Sequence, residues 1–272
     1  MITLNPNEPA IVRGIKTVGV GKKGSKSLGA ELAQEILADL KSGKTHPSAR
    51  GAFFAGLLAK GIEPQEEVLS QAFQPGVLHN PQAIVQALAG DAPEFVRWVC
   101  VQLLNGQTLD QHTAYDLGKF LFSNDQGDGA RGLVASFLRV RYETPDEYAG
   151  IWQAMQETLM PTFCQPTPAG QPIIQLAEPF DGNDHSYMVT PLIAQYLQSL
   201  GFRAIHMVGR NSGPKLVFNL LDVAKDLKVN FAKANSDLSG FQPMYGWFFN
   251  QQDISPALDH WVDIRREIPC YN

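Results

Sequence analysis

The sequence predicts an α/β protein: a helical N-terminal part with a duplicated helical module, followed by a partial parallel-sheet domain. Three observations carry that prediction. Shifting residues 28 to 67 by 81 positions superposes, without a gap, Leu28 on Leu109, Leu40 on Leu121, Ser42 on Ser123, Ala49-Arg50-Gly51 on Ala130-Arg131-Gly132, Leu57 on Leu138, Pro64 on Pro145 and Glu66 on Glu147, the mark of an internal repeat. Between Pro172 and Leu227 an apolar run, a polar loop and an amphipathic stretch follow one another twice, as in consecutive strand-loop-helix units of a parallel sheet. A Pro-rich stretch, Pro161 to Pro172, separates the two regions. The expected organisation is a first module copy in residues 1–75, a linker and second copy in 76–165, and the sheet domain in 166–272.

Each module copy predicts three short helices, beginning near Leu28 or Leu109, after the polar break at Gly43-Lys44 or Asn124-Asp125, and at Pro64 or Pro145. In the first copy Ile36, Leu37 and Leu40, then Phe53, Phe54, Leu57 and Leu58, form the apolar stripes by which such helices pack. Turn signals at Gln74-Pro-Gly76, His79-Asn-Pro81 and Asp91-Ala-Pro93 mark the join. Ahead of the first copy, Gly19 to Lys26 has the glycines and lysines of a phosphate loop. Its Ser25-Lys26 order departs from the Lys-Ser/Thr pair that loop requires after its last glycine. Lys22, Lys23 and Lys26, with Arg13 and Lys16, instead make a basic arm, read either as a contact for nucleic-acid phosphates or as a solvated entry to the first helix; no aromatic residue interleaves the lysines.

In the sheet domain, Ile173 to Leu176 is the first strand, Glu178 to Ser186 a polar loop, and Thr190-Pro191 a helix start with Thr190 as N-cap. Leu192, Ile193, Tyr196, Leu197 and Leu200 share one face of that helix before Gly201 ends it. Phe202 to Val208 is the second strand, Gly209 to Pro214 its loop, and Leu216, Val217, Leu220, Leu221 and Ala224 the next amphipathic face. Right-handed crossovers gather both loops at the carboxyl ends of the strands, where such sheets bind ligands. The loop chemistry suits an anion: Gly182, Gly209 and Gly213 permit close backbone approach, and Arg210 and Lys215 add positive charge. Asp181 and Asp184 could hold a divalent cation between the protein and that anion. Turn propensity alone also fills such loops with Gly, Asn and Asp.

With 272 residues, 44% hydrophobic, the chain can build one large or two modest domains. A net charge of −5 argues against polyanion binding by the surface as a whole. Met1 to Pro6 lacks a basic start followed by an apolar stretch, and the most apolar window, Phe95 to Leu104, is short and interrupted by Arg97, so a cytoplasmic protein with no membrane partner is expected. Cys100, Cys164 and Cys270 are too far apart in sequence for a disulfide framework or zinc pattern, and the scattered histidines form no ligand pair.

Asn105 to Gln111, Arg139 to Gly150 and Ala154-Met155 resemble the N-terminal helical module of the anthranilate phosphoribosyltransferases. Ile15 to Gly24, Leu28 and Ala52 to Lys60, with Phe180-Asp-Gly182 and Thr190 to Ala194, are most similar to the divergent glycosyltransferase-like branch of that family. The resemblance covers most of the chain. It implies a small helical domain, often used for dimerisation, beside a larger α/β domain of the nucleoside phosphorylase-like type that holds phosphoribosyl pyrophosphate over magnesium. Carried over by position, the ligand contacts are Asp181, Gly182, Asn183, Thr190, Gly209, Arg210, Asn211 and Lys215, and Arg265 inherits the arginine that helps hold the acceptor carboxylate.

The motifs also depart from the family. Its Gly-Thr-Gly-Gly-Asp pyrophosphate loop is Pro179-Phe-Asp-Gly-Asn-Asp184 here, and its Lys-His-Gly-Asn-Arg is Met207-Val-Gly-Arg-Asn211. The chain stops at Asn272, before the family's later strands and its metal-binding Asp-Glu pair, so a truncated product or a completing partner is expected. Two readings follow. One is a phosphoribosyltransferase of the tryptophan-biosynthesis type, moving phosphoribosyl to an aromatic amine with magnesium, homodimeric through its helices and of diminished activity. The other is a non-catalytic protein that binds nucleic acid or a phosphorylated small molecule.

Overall fold

A computed structural model of the chain describes residues 4–21, 23–213 and 215–269. In order, the helices are α1 (Ala10–Val18), α2 (Ala30–Lys41), α3 (Pro47–Lys60), α4 (Pro81–Ala89), α5 (Glu94–Leu104), α6 (Gln111–Leu121), α7 (Asp128–Arg141), α8 (Pro145–Gln156), α9 (Thr190–Ser199), α10 (Leu220–Asp226), α11 (Gln251–Ile254) and α12 (Pro256–Glu267). The strands are β1 (Ile173–Leu176), β2 (Arg203–Val208), β3 (Phe231–Ala232) and β4 (Trp247–Asn250). The chain forms two compact units: Met1–Ala154 with Ile264–Asn272, and Met155–Asp263. No helix among the described residues is long and apolar enough to cross a membrane.

The repeat is a structural repeat. At the shift of 81, α2 and α3 of the first copy coincide with α6 and α7 of the second, and a 3-10 helix at Pro64–Ala72 begins where α8 does. Both copies use the same buried clamp. Glu66 accepts from the backbone N–H of Leu28 (2.8 Å) and Glu63 (2.8 Å) and from Lys60 Nζ (2.9 Å). Glu147 accepts from Leu109 (3.0 Å), Thr144 (2.8 Å) and Arg141 Nη2 (2.6 Å). Each carboxylate, fully buried, thus ties the residue before the first helix to the start of the third element, and a positive partner makes that burial tolerable. The serines repeat as well: Ser42 Oγ donates to Asp39 O (2.7 Å) and Ser123 Oγ to Phe120 O (3.0 Å).

The copies meet along α3 and α7 almost backbone to backbone. A Cβ on Gly132 would lie 1.9 Å from the carbonyl oxygen of Ser48, and one on Gly51 2.0 Å from that of Gly129. Ser48 and Gly129 are counterparts under the repeat, so the contact is reciprocal about a local twofold. Phe53, Phe54 and Leu57 of α3 and Leu133, Val134 and Leu138 of α7 fill the surrounding core. The segment expected as a linker is also structured. It holds α4 and α5, each opened by a proline signal at Asn80-Pro81 or Pro93-Glu94, and Asn80 caps α4 by accepting from Ala83 N at 3.0 Å. Of the expected basic arm, Arg13 and Lys16 lie on helix α1, where Lys16 is buried along its stem and its Nζ pairs with Glu8 at 2.6 Å, and the described residues of Gly19–Lys26 follow that helix as turn and loop.

In the second unit all strands are parallel, in the order β1-β2-β4-β3. Alternation along β4 divides the core: Phe248 faces Val208, Leu220, Leu221 and Ala224, whereas Trp247 and Phe249 face Ala232 and Leu238. β1 and β3 are the edge strands of the described sheet. Two local expectations fail. The α9 face expected in the core is outside: Leu192 is 61%, Tyr196 65% and Leu200 55% exposed, with Ile193 also exposed, while Thr190, Pro191 and Ala194 are buried. The periodicity located the stripe, but small residues rather than large ones fit against the sheet. The helix expected from Leu216 begins only at Leu220, because Leu216 takes a left-handed φ of 56° and Asn219 caps the next turn.

Burial pushes the Glu147 carboxyl up, but the Thr144 and Leu109 N–H donors and Arg141 outweigh it and hold the group below its ordinary 4.5. Its folded-state pKa being depressed, the clamp's contribution is complete above the unfolded value and is lost as pH falls below about 4.5 through the native one. Glu147→Gln sets an amide NH2 against N–H donors and is expected to cost about 2–3 kcal/mol at pH 7. The deficit should shrink as the pH is lowered below about 4, as read from urea midpoints; a pH-independent deficit would contradict this account.

Candidate functional site

The polar loops after β1 and β2 lie together at the carboxyl ends of those neighbouring parallel strands and are stitched by backbone. Asn183 N donates to Phe218 O and Val217 N to Asp181 O, both at 3.2 Å. Gly182 must be glycine: its φ is +93°, and a Cβ there would lie 2.5 Å from Val217 O. Gly209 packs equally closely, with the Phe180 ring 2.9 Å from where its Cβ would be.

Asn219, missed from the sequence, is the hub of this cluster. Buried to 2% exposure, it donates from Nδ2 to Phe180 O (3.0 Å) and Gly209 O (2.9 Å), one carbonyl from each loop. Its Oδ1 accepts from Leu221 N at 2.9 Å, and its backbone N–H donates to Asp222 Oδ2 at 3.0 Å. Asn followed three residues later by an acid before an apolar turn is a capping-box signal. The apolar spacing that starts at Leu216 masked it.

The predicted ligand residues separate into distinct environments. Lys215 Nζ donates to Gly182 O (3.2 Å) and lies 3.9 Å from Asp184 Oδ1, leaving the ammonium part-exposed on the loop cluster. Asn211 reaches Val217 O at 3.4 Å, inside the same cluster. Asn183 accepts from His185 N and Ser186 N, both at 3.2 Å, closing its own turn. Thr190 is the first helical residue of α9 rather than its N-cap, the flanking residue being Val189, and its Oγ1 is buried without a hydrogen-bond partner among the described residues. Arg210 corrects the expectation most. Its Nε bonds Asp259 at 2.8 Å and its Nη1 bonds Asp263 at 2.7 Å, and these carboxylates, Asp263 foremost, push the guanidinium pKa up. It therefore braces α12 and does not present its charge to an anion in the loops. Arg265 is partly buried on α12, in the stretch that clusters with the helical unit.

Of the basic arm, Lys22 lies outside the described residues, and Lys23 and Lys26 are exposed. Arg13 is paired with Glu35 and Lys16 with Glu8, so the arm's charge is partly neutralised by acids the linear reading did not bring to it. His206 is a core histidine on β2. It stacks on Phe248 at 4.3 Å and bonds Tyr245 O at 2.8 Å through Nε2, and burial lowers its pKa. Burial pushes the Cys100 thiol up to about 12, so it is no nucleophile at neutral pH. Among the described residues no group of three or more His, Cys, Asp or Glu side chains is placed to hold a metal ion.

No protein-family model matches the chain. It is similar to the anthranilate phosphoribosyltransferase of Deinococcus radiodurans, 25% identical over 171 residues, which are 61% of this chain and 48% of that enzyme. It is also similar to the uncharacterised protein YbiB of Escherichia coli K12, 28% identical over 137 residues, 49% of this chain and 42% of that protein. The relation to both is distant. The chain spans about half the length of the curated relatives it matches.

Asn219→Ala removes a cap and strands two loop carbonyls, and is expected to cost about 2–4 kcal/mol of unfolding free energy. A chemical-denaturation midpoint within error of the parent's would remove Asn219 from the centre of this cluster.

Proposed function

We propose that the protein is phosphoribosyltransferase-like, binding phosphoribosyl pyrophosphate or a similar phosphorylated sugar at the loops between β1 and α9 and between β2 and α10. The observation supporting this reading is the juncture of those loops at the carboxyl ends of neighbouring parallel strands, with Lys215 held across them and the unpartnered Thr190 hydroxyl at the first turn of α9. The Lys215 ammonium and the Thr190 hydroxyl are the donors suited to a phosphate, since Pro191 has no N–H and the N–H groups of Leu192 and Ile193 bond Val189 O. Asp181 and Asp184 suit a magnesium ion arriving with the phosphates, since that ion keeps most of its waters and needs only one or two protein carboxylates.

Transfer to an aromatic amine develops positive charge on the ribose ring and negative charge on departing pyrophosphate. The amine needs little general-base help, so rate depends on how well the leaving group is held. Here a one-glycine loop and a single part-exposed lysine perform that task, with Arg210 committed to Asp259 and Asp263. Binding with slow turnover is the expected behaviour. Calorimetric titration with phosphoribosyl pyrophosphate should show binding that strengthens with magnesium and falls about tenfold in Lys215→Ala, while Lys23→Ala/Lys26→Ala leaves it unchanged. No binding with or without magnesium would defeat the proposal.

A second reading, nucleic-acid binding by the basic arm, is favoured by one feature that folding alone reveals. Tyr142 packs on Gly21, its hydroxyl oxygen 3.2 Å from where a Cβ on Gly21 would be, and Arg139 lies 5.9 Å from its ring centroid. Tyr142 is 45% exposed and takes a φ of 70°, whereas its repeat counterpart is Gly61 with a φ of 95°. A bulky residue in that conformation costs about 1–3 kcal/mol and survives where something other than stability is gained. An exposed ring packed on Gly21 of the arm that carries Lys23 and Lys26 offers a stacking platform for a base. Tyr142→Gly is then expected to raise the unfolding free energy by about 1 kcal/mol and to weaken single-stranded oligonucleotide binding at low salt. Unchanged oligonucleotide affinity in that variant would leave the tyrosine with no role in such binding.

A further inference from the structure

The repeat pairs two arginines whose environments differ. Arg131 of α7 is 1% exposed and donates to the carbonyl oxygens of Phe120 (3.1 Å), Leu121 (3.3 Å), Ser123 (2.8 Å) and Asp125 (2.8 Å), closing the C-terminal end of α6; its guanidinium lies 4.4 Å from the Phe120 ring centroid. The corresponding carbonyls for Arg50 of α3 are those of Asp39, Leu40, Ser42 and Lys44. Arg50 has no side-chain hydrogen bond or ion pair among the described residues, and its Nε is buried with no partner. Two substitutions between the copies bear on the difference: Asp128, which pairs with Arg131 Nη1 at 3.3 Å, is replaced by Pro47, and Phe120 by Asp39. The position of Phe120 is held by Asp39, whose carboxylate accepts from Ile11 N at 3.1 Å and so serves α1, leaving Arg50 without the aromatic platform that seats Arg131.

Arg50 instead lines a cavity of about 60 Å³ with Lys41, Phe54, Phe73, Ala87 and Leu88. A buried guanidinium donor without an acceptor is unfavourable unless a ligand supplies one. We propose that this cavity binds a short-chain monocarboxylate. The planar guanidinium matches a carboxylate bidentately, and Lys41 adds a second positive charge. Phe54, Phe73 and Leu88 accept a hydrocarbon tail, and the volume limits that tail to a few carbons. Sulfate or phosphate can pair with the guanidinium but has no hydrocarbon part for those apolar walls and loses hydration against them, so it binds more weakly.

Titration of the isotope-labelled full chain with propionate, followed through the Phe54 and Phe73 ring resonances and by calorimetry, tests the site. Saturable binding is expected, weakened about tenfold or more in Arg50→Gln and several-fold in Arg50→Lys, which keeps the charge without the fork. Both variants should unfold at the parent's midpoint, since Arg50 has no partner to lose. Sulfate at matched ionic strength should bind at least several-fold more weakly than propionate. Three results would overturn the proposal: no saturation with propionate, propionate affinity unchanged in Arg50→Gln, or sulfate binding as tightly as propionate. A marked loss of stability in Arg50→Gln together with no propionate response would show that Arg50 closes on the α2 carbonyls as Arg131 does on those of α6.

Discussion

The close approach of α3 and α7 fixes the geometry of the helical unit. Helices that meet with carbonyl oxygens within about 2 Å of where a Cβ would stand must carry glycine at each contact, and Gly51, Gly129 and Gly132 do so. Ordinary helix pairs keep 8–10 Å between axes. Nearer approach trades side-chain burial for backbone contact and leaves little tolerance for sliding. The reciprocal pairing of Gly51 with Gly129 and of Gly132 with Ser48 sets the register of one copy on the other, and the glutamate clamps then fix where each copy's remaining helices attach. Gly129 also abuts Leu88 of α4, with a would-be Cβ 1.8 Å from its carbonyl oxygen, so the connecting helices are seated by the same constraint.

The sheet unit is held by a different device. Its two ligand-type loops have few apolar contacts with which to organise themselves, and polar backbone in such loops must find partners. Asn219 satisfies one carbonyl of each loop while capping α10, which joins the two loops to a helix end through a single buried amide. Its environment also explains why α10 is short: the turn before it is spent on Leu216 and Val217 reaching back to the first loop.

The sequence made legible those features that recur at fixed spacing. The 81-residue shift exposed Glu66 and Glu147 as counterparts before either had a role, and the apolar runs located β1 and β2. Features that depend on partners distant in sequence were not legible. Arg210 looks like an anion ligand until Asp259 and Asp263 arrive on α12, and Arg13 and Lys16 look like an exposed basic arm until Glu35 and Glu8 meet them. On α9, periodicity reported an apolar stripe of Leu192, Tyr196 and Leu200 correctly and its burial wrongly, because hydrophobic spacing carries no information about which side a sheet occupies. Tyr142 shows the converse: nothing in its local sequence marks it, and only its repeat counterpart Gly61 reveals the conformation it must accept.

The same pairing of charges bears on the anion proposed for the loops. Arg210 is more than neutralised by Asp259 and Asp263, and Lys215 stands 3.9 Å from Asp184 with Asp181 on the same loop. Carboxylates therefore outnumber cations around the site. A bare polyphosphate approaching it meets repulsion that near-surface screening only partly removes, on the order of 4 kcal/mol for unit charges about 4 Å apart at an effective dielectric constant of about 20. A divalent cation placed between the phosphates and the aspartates turns each of those repulsions into an attraction. Under the function proposed above, the acidic loop residues, unfavourable for a bare phosphate, suit a ligand that arrives as a metal complex, and Lys215 would orient that complex more than neutralise it.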